Sequence, residues 1–305
     1  MSPSTTIDSV PTCWRARELA GQACLALALL MPAWAGAQET SGRVVTWEPA
    51  APVQGTLFRI IVAAADVSGV TGSAAGEPLH FDKTDDGRFI ALAGVPLDGG
   101  GKLDLNVTVT QANGTASPVR VDVPVATGSY ALDRLSVAPQ FGQPPDAATQ
   151  ARLDRERARA LEVSRRAHQT PRLWDKFVLP RDTRITSGFG NGREFNGQVQ
   201  SRHTGTDFAG GVGELVNAAA RGLVALVDNF YLAGNVVYID HGQGLVSAYF
   251  HLSEAVVAQG DTVAAGQAIG KIGATGRVTG PHLHWVVRYG AISVDPLSVL
   301  ALVGQ

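Results

Sequence analysis

A chain of 305 residues with 45% hydrophobic content has the length for about two domains and enough apolar surface for sizeable cores, which excludes wholesale disorder. With 25 basic and 27 acidic residues it is close to neutral, and nothing in that balance predicts a nucleic-acid partner. Both cysteines, Cys13 and Cys24, fall in the first segment, so the remainder can form no disulfide and carries no thiol nucleophile.

That first segment has the pattern of an export signal. Arg15 and Arg17 form its positive region, Leu19 to Met31 its apolar region, and Ala35-Gly36-Ala37 an A-x-A cleavage site. The apolar run is shorter than the ~20 residues that span a bilayer, which favours cleavage near Ala37 over a retained anchor. Residues 1–37 are thus expected as a signal peptide, and the mature chain as periplasmic or secreted.

Residues 38–141 are expected to form a β-sandwich of the Ig-like kind. Arg43 to Trp47, Leu57 to Val62, Arg88 to Leu92, Leu103 to Val109 and Val119 to Val123 are rich in β-branched and apolar residues. Turn signals at Asp86-Gly87, Asp98 to Gly101 and Asn113-Gly114 separate them. The one histidine here, His80, reads as a surface or strand residue rather than a ligand.

Residues 142–176 differ in kind and are expected as a helical linker. Pro144-Pro145-Asp146 reads as a stop followed by a helix cap. Ala147 to His168, rich in Ala, Arg and Glu, reads as a solvated helix of about six turns. His168, at its frayed end, has no assigned role.

Residues 177–305 are again strand-rich and dense in glycine, which predicts a mainly antiparallel sheet folded over itself with loops lining a groove. The chemistry concentrates here. Pro281-His282-Leu283-His284-Trp285 places two imidazoles on one face of a strand, because side chains alternate with period two. His203 and Asp207, in His203-Thr204-Gly205-Thr206-Asp207, can complete a three-ligand set, and His251 lies between the two segments. Three N/O ligands with an open position are the arrangement of a catalytic rather than a structural zinc. Spacing alone does not decide which of His282 and His284 is the ligand.

Residues 183–298 resemble the lysostaphin-type (LytM-type) zinc endopeptidases of bacterial cell walls. The resemblance rests on Thr186-Ser187-Gly188-Phe189-Gly190, Phe195-Asn196-Gly197, His203 to Phe208, Gly234-Asn235, Asp240-His241-Gly242, Tyr249-Phe250-His251-Leu252 and Gly273 to His284, the last including Arg277. Residues 42–141 are similar, more loosely, to the β-sandwich that precedes this peptidase in some Gram-negative members. The resemblance implies one Zn2+ per chain on His203, Asp207 and His284, with His251 and His282 flanking the attacking water as catalytic residues. It implies structural support from Asn235 and a corner-shaping role for His241. It implies an exported endopeptidase cutting peptide cross-links of peptidoglycan, with the N-terminal domain left to engage a cell-envelope protein. Arg202 stands where many relatives carry a small residue or proline.

Two rival readings accompany this one. A catalytically latent or regulatory protein of the same type would activate another wall hydrolase, but such proteins typically lack some ligands, and all are present here. Val257 to Gly270 resembles the hairpins of lipoyl and biotinyl carriers, yet Lys271 is not in the context of a modified lysine.

Overall fold

The computed structural model describes residues 44–304, so the expected signal segment lies outside the described residues. Eight strands come first: β1 (Val45–Glu48), β2 (Leu57–Val62), β3 (Val67–Ala74), β4 (Glu77–Pro78), β5 (Asp82–Lys83), β6 (Phe89–Gly94), β7 (Lys102–Gln111) and β8 (Ala116–Pro124). They form two antiparallel four-stranded sheets, ordered β1-β2-β6-β5 and β4-β3-β7-β8. In β7 the alternation is strict: Leu103, Leu105, Val107 and Val109 point inward and Lys102, Asp104 and Asn106 outward. The inward sets of both sheets, including Phe58, Ile60 and Val123, make one core. β3 was not among the expected strands. Its Gly, Ser and Thr content hides the alternation, and pairing with β7 over seven positions holds it in place.

β9 (Leu132–Leu135) leaves the sandwich, and α1 (Ala147–Arg166) follows. The Asp146 carboxylate caps α1 by accepting from the Thr149 amide at 2.7 Å. The helix is not a solvated linker. Ala160, Val163, Ser164 and Ala167 form a stripe at helical spacing, and three of them pack on Leu226, Tyr238, Val246 and Val286. These residues are too small and mixed to read as an apolar face, yet small side chains are what let a helix approach a sheet closely. The arginines stay outside in ion pairs such as Arg166–Glu162 at 3.2 Å and Arg159–Asp228.

The remaining elements are β10 (Ile185–Ser187), β11 (Gly192–Phe195), β12 (Val199–Arg202), β13 (Thr206–Ala209), β14 (Leu215–Asn217), β15 (Gly222–Phe230), β16 (Gly234–Gly242), β17 (Leu245–Ala255), β18 (Thr262–Val263), β19 (Ala268–Ile272), β20 (His282–Tyr289), β21 (Ile292–Val294) and α2 (Pro296–Val303). Ten of the strands form one antiparallel sheet with the path β10-β13-β20-β17-β16-β15-β18. The mainly β architecture is therefore as expected. Leu283, Trp285, Val287 and Tyr289 of β20 face the large core with Tyr249, Ile269 and Phe208. His282, His284 and Val286 lie on the opposite face, by the same period of two. Val286 sits under α1, so the helix covers the far part of the face that carries the histidines.

The sandwich is tied to this sheet. Leu57 belongs to the large core beside Trp174, Val294 and Val299. The Leu57 amide donates to Ser298 Oγ at 3.0 Å, and the Asp295 amide donates to the Gly55 carbonyl at 2.6 Å. His168, which had no expected role, joins the two. Its Nδ1 meets His80 Nε2 at 2.8 Å, its Nε2 meets Glu77 Oε2 at 3.0 Å, and its ring stacks on His80. Gly244 and Gly290 lie so close to that ring that a Cβ on either would collide with it. β9 pairs in parallel with β11, and β11 in turn with β12, so residues 132–135 become part of the wall beside the site.

Candidate metal centre and substrate groove

Strand register brings the first two site residues together. In the β13–β20 pair, Asp207 lies opposite His284 and Ala209 opposite His282. Directly opposed side chains on one face start about 5 Å apart at Cβ. His203 precedes β13 and is held by its backbone, whose amide donates to the Asn191 carbonyl at 2.8 Å and whose carbonyl accepts from Gly190 at 2.7 Å. Gly205 lets the chain return towards Asp207. A Cβ there would stand 2.4 Å from the Trp285 carbonyl oxygen and 2.8 Å from His284 Cε1.

The result is a buried cluster of three. His203 Nε2 is 3.0 Å from Asp207 Oδ1 and 2.9 Å from His284 Nδ1, and His284 Nδ1 is 2.7 Å from the same carboxylate oxygen. His203 Nδ1 lies 2.6 Å from the Gly188 carbonyl and must donate to it, which leaves Nε2 as a lone pair aimed at the other two groups. With His203 in that tautomer, at most one hydrogen, on His284 Nδ1, lies among the three atoms. It cannot satisfy all of them, whereas one divalent cation can. The donor set of two imidazoles and one carboxylate therefore fits such an ion, and no other group of three or more His, Cys, Asp or Glu among the described residues converges in this way.

Electrostatics agree with that fit. Burial alone would raise the Asp207 pKa, but the His284 charge and hydrogen bonds with both imidazoles overcome it and hold the carboxylate well below its usual range. Burial pushes His284 down to about 4, and the nearby Asp207 does not reverse it. Both groups are thus in the ligand-competent protonation state at neutral pH.

His251 and His282 come to the same place by different routes. A β-bulge in the β16–β17 pair, where Asn235 faces Leu252 but Val237 faces Tyr249, inserts one extra residue at Phe250-His251. His251 takes up this irregularity with φ of 63°, a left-handed conformation costly for a non-glycine residue. Asn235 braces it: its Nδ2 donates to the Leu252 carbonyl at 2.9 Å, and its amide donates to Thr275 Oγ1 at 3.0 Å. His251 Nδ1 donates to the Thr275 carbonyl at 2.8 Å, and its ring centroid is 4.9 Å from that of His282. Burial, then repulsion from His284 and His282, holds His251 well below its ordinary pKa and so neutral. His282 donates Nδ1–H to the Gly280 carbonyl at 2.8 Å and turns Nε2 to within 3.7 Å of Asp207 Oδ1. All five expected site residues thus meet at one end of the sheet. His241 is elsewhere, wholly buried, with Nδ1 2.9 Å from the Arg221 carbonyl and Nε2 2.7 Å from Ser247 Oγ.

A groove of about 470 Å³ opens beside this cluster, lined among others by Leu132, Asp133, Arg193, Phe195, Arg277 and His282. Several of these carry no role from the sequence. Arg193 bonds the outer oxygen of Asp207 and reaches Ser187 Oγ at 3.3 Å. Ser187 Oγ lies 3.2 Å from His203 Nδ1 and donates to Asp133 Oδ2 at 2.8 Å. Ser187 stood in a matching motif without a function, and Asp133 comes from β9, more than fifty residues upstream.

Residues 201–296 match the sequence pattern of peptidase family M23. A peptidoglycan DD-endopeptidase of Vibrio cholerae, ShyA, is 38% identical over 141 residues, covering 42% of this chain and 32% of the relative. The DD-carboxypeptidase/endopeptidase Mpg of Neisseria meningitidis is 41% identical over 117 residues, covering 38% of this chain and 27% of the relative. The chain therefore spans about a third or less of the length of these curated relatives. A crystal structure from Pseudomonas aeruginosa assigned to peptidase M23 superposes with a TM-score of 0.63 at 29% identity, over 82% of this chain and 95% of that one. The lysostaphin-type resemblance of the motifs, the convergent His-Asp-His cluster and these matches agree, and the chain carries a LytM-type peptidase family M23 domain.

Proposed function

We propose that the protein is an exported zinc endopeptidase that hydrolyses peptide cross-links of peptidoglycan. The observation that carries this reading is the buried convergence of His203 Nε2, Asp207 Oδ1 and His284 Nδ1 at the end of an open groove. The relative ShyA, named a peptidoglycan DD-endopeptidase, supports the substrate class. The N-terminal pattern to Ala37 supports export.

In this reading His203, Asp207 and His284 hold one zinc ion. Zinc bound there supplies Lewis acidity and lowers the pKa of water from about 15.7 towards 7. The chain's own residues do the rest. His251, with Nδ1 committed to the Thr275 carbonyl, keeps Nε2 to accept a proton from the attacking water and return it to the leaving amine. His282, with Nδ1–H donated to the Gly280 carbonyl, turns the lone pair of Nε2 to the site and orients the attacking water by accepting a hydrogen bond from it. Arg193 balances the Asp207 carboxylate on its outer side. The segment 132–137 from upstream walls the groove and orients the peptide along it. A purely regulatory protein would have no use for both flanking histidines, each held with one nitrogen free.

The test is mass spectrometry of fragments released from purified peptidoglycan by the mature protein loaded with zinc, beside His203→Ala. Release of cross-link cleavage products by the wild type alone is expected, and the masses name the bond. Absence of release by either protein overturns the endopeptidase reading.

A further inference from the structure

Among the described residues, Arg277 is the one cation lining the groove with no counter-charge. Its loop is fixed: the Arg277 amide donates to the Leu232 carbonyl at 2.8 Å. The preceding Gly276 has φ of 77° and lies so close to Gly234 and Leu232 that a Cβ would stand 2.5 Å from their backbone atoms. The guanidinium carbon sits 3.7 Å from the centroid of the Phe195 ring, and Phe195 is buried on β11. Among the described residues no carboxylate pairs with this guanidinium and no hydrogen bond satisfies it. Its neighbour Arg193 is different, because Arg193 is engaged with Asp207 and Ser187.

The two groove carboxylates are likewise taken, Asp207 by the cluster and Asp133 by Ser187 and Asn191. Burial, then repulsion from Arg193, pushes the Arg277 pKa down to about 10, which still leaves it charged at neutral pH. A half-buried cation beside a second cation is unfavourable unless an anion offsets it. Stacking on Phe195 holds the planar fork in one orientation, so little side-chain freedom remains to be lost when it pairs.

We propose that Arg277 is the specificity-determining residue of the groove, taking a free carboxylate of the substrate peptide in a bidentate pair. The inference rests on the endopeptidase reading and names its substrate more closely: acidic wall peptides with a carboxylate near the scissile bond, not their amidated counterparts. A carboxamide presents an NH2 group, a donor, where the guanidinium offers only donors, so it leaves part of the fork unsatisfied.

The experiment uses the full mature chain loaded with zinc and two synthetic cross-linked wall peptides that differ only in carrying that group as carboxylate or carboxamide. The wild type is expected to favour the carboxylate peptide in kcat/KM on the order of tenfold to a hundredfold, mostly through KM. Arg277→Gln should lower kcat/KM for the carboxylate peptide by that factor and for the amide much less, so that the ratio falls towards one. Arg277→Lys should restore part of it, since charge returns without the fork. Loss of packing alone would lower both peptides equally and leave the ratio unchanged. A wild type that cuts both peptides alike, or an Arg277→Gln variant that keeps the preference, overturns this inference and leaves the endopeptidase reading standing. A wild type that cuts neither these peptides nor whole peptidoglycan overturns both.

Discussion

Asp133 accepts a hydrogen bond from the Ser187 hydroxyl at 2.8 Å, and Ser187 Oγ stands 3.2 Å from His203 Nδ1. A residue of the strand that leaves the sandwich therefore reaches the cluster through one intermediary. Asp133→Ala removes the acceptor for Ser187 and for Asn191, freeing Ser187 to turn and His203 with it. Outer partners of metal-binding histidines are commonly worth 10–100-fold in affinity. Zinc affinity, measured by competition with a chromophoric chelator, is expected to fall by about tenfold, with the thermal midpoint of the zinc-free protein little changed. Unchanged affinity would remove Asp133 from the site's support.

Gly205 has no room for a side chain. Gly205→Ala puts a methyl group against the Trp285 carbonyl and the His284 ring. Overpacking of this kind costs about 1–3 kcal/mol, and the imidazole is the softer of the two neighbours. The expected outcome is a displaced His284, with substoichiometric zinc by elemental analysis and a matching loss of activity.

Asn235 supports chemistry without touching it. Asn235→Ala deletes the bond to the Leu252 carbonyl that closes the bulge at Phe250-His251. About 1 kcal/mol of stability should be lost, as for one partly buried hydrogen bond. The left-handed His251 should then relax, so kcat is expected to fall by about tenfold while zinc content and KM stay near wild type. A KM effect alone would count against this assignment.

His241 sets an acid limit on the fold. Burial lowers its pKa to about 4, against 6.5 for the unperturbed group. Above pH 6.5 neither the folded nor the unfolded form carries the proton, and the stability is fully present. As pH falls below 6.5 the unfolded chain takes up a proton that the folded one refuses, so stability declines by up to about 1.4 kcal/mol per unit until pH 4. Denaturant melts of the zinc-free protein at pH 7 and pH 4.5 measure this, and His241→Gln should shrink the difference by the share of one such group, His251 and His284 supplying part of the remainder.

What could be read from the chain before the fold was known follows a physical divide. Leu103 to Val109 announced itself because one face is core and the other water. Asp146 announced the start of α1 because a cap is a local event. His203, Asp207 and the His282-His284 pair stood out because their motifs are dense in unusual residues, but the residues alone left His282 and His284 open as ligands, and it is register, not spacing, that makes Asp207 face His284. β3 was hidden by its Gly and Ser content. The docking of α1 was hidden because Ala160, Val163 and Ser164 make a face of small side chains rather than large apolar ones. Asp133, Arg193 and His168 were hidden because their importance arises from pairing between residues distant in sequence, and a lone Asp, Arg or His has no local pattern.

The parallel ladder of β9 on β11 makes residues 132–135 and 192–195 neighbours, so the chain between them is a closed circuit that runs out through α1 and back. The exposed stretch from Gln143 to Asp146 is a thinly held part of that circuit. A protease that cuts there would not release the groove wall. The ladder, Leu57 in the large core and the His80–His168 contact would keep the two fragments together, co-eluting in native buffer and separating only on denaturation.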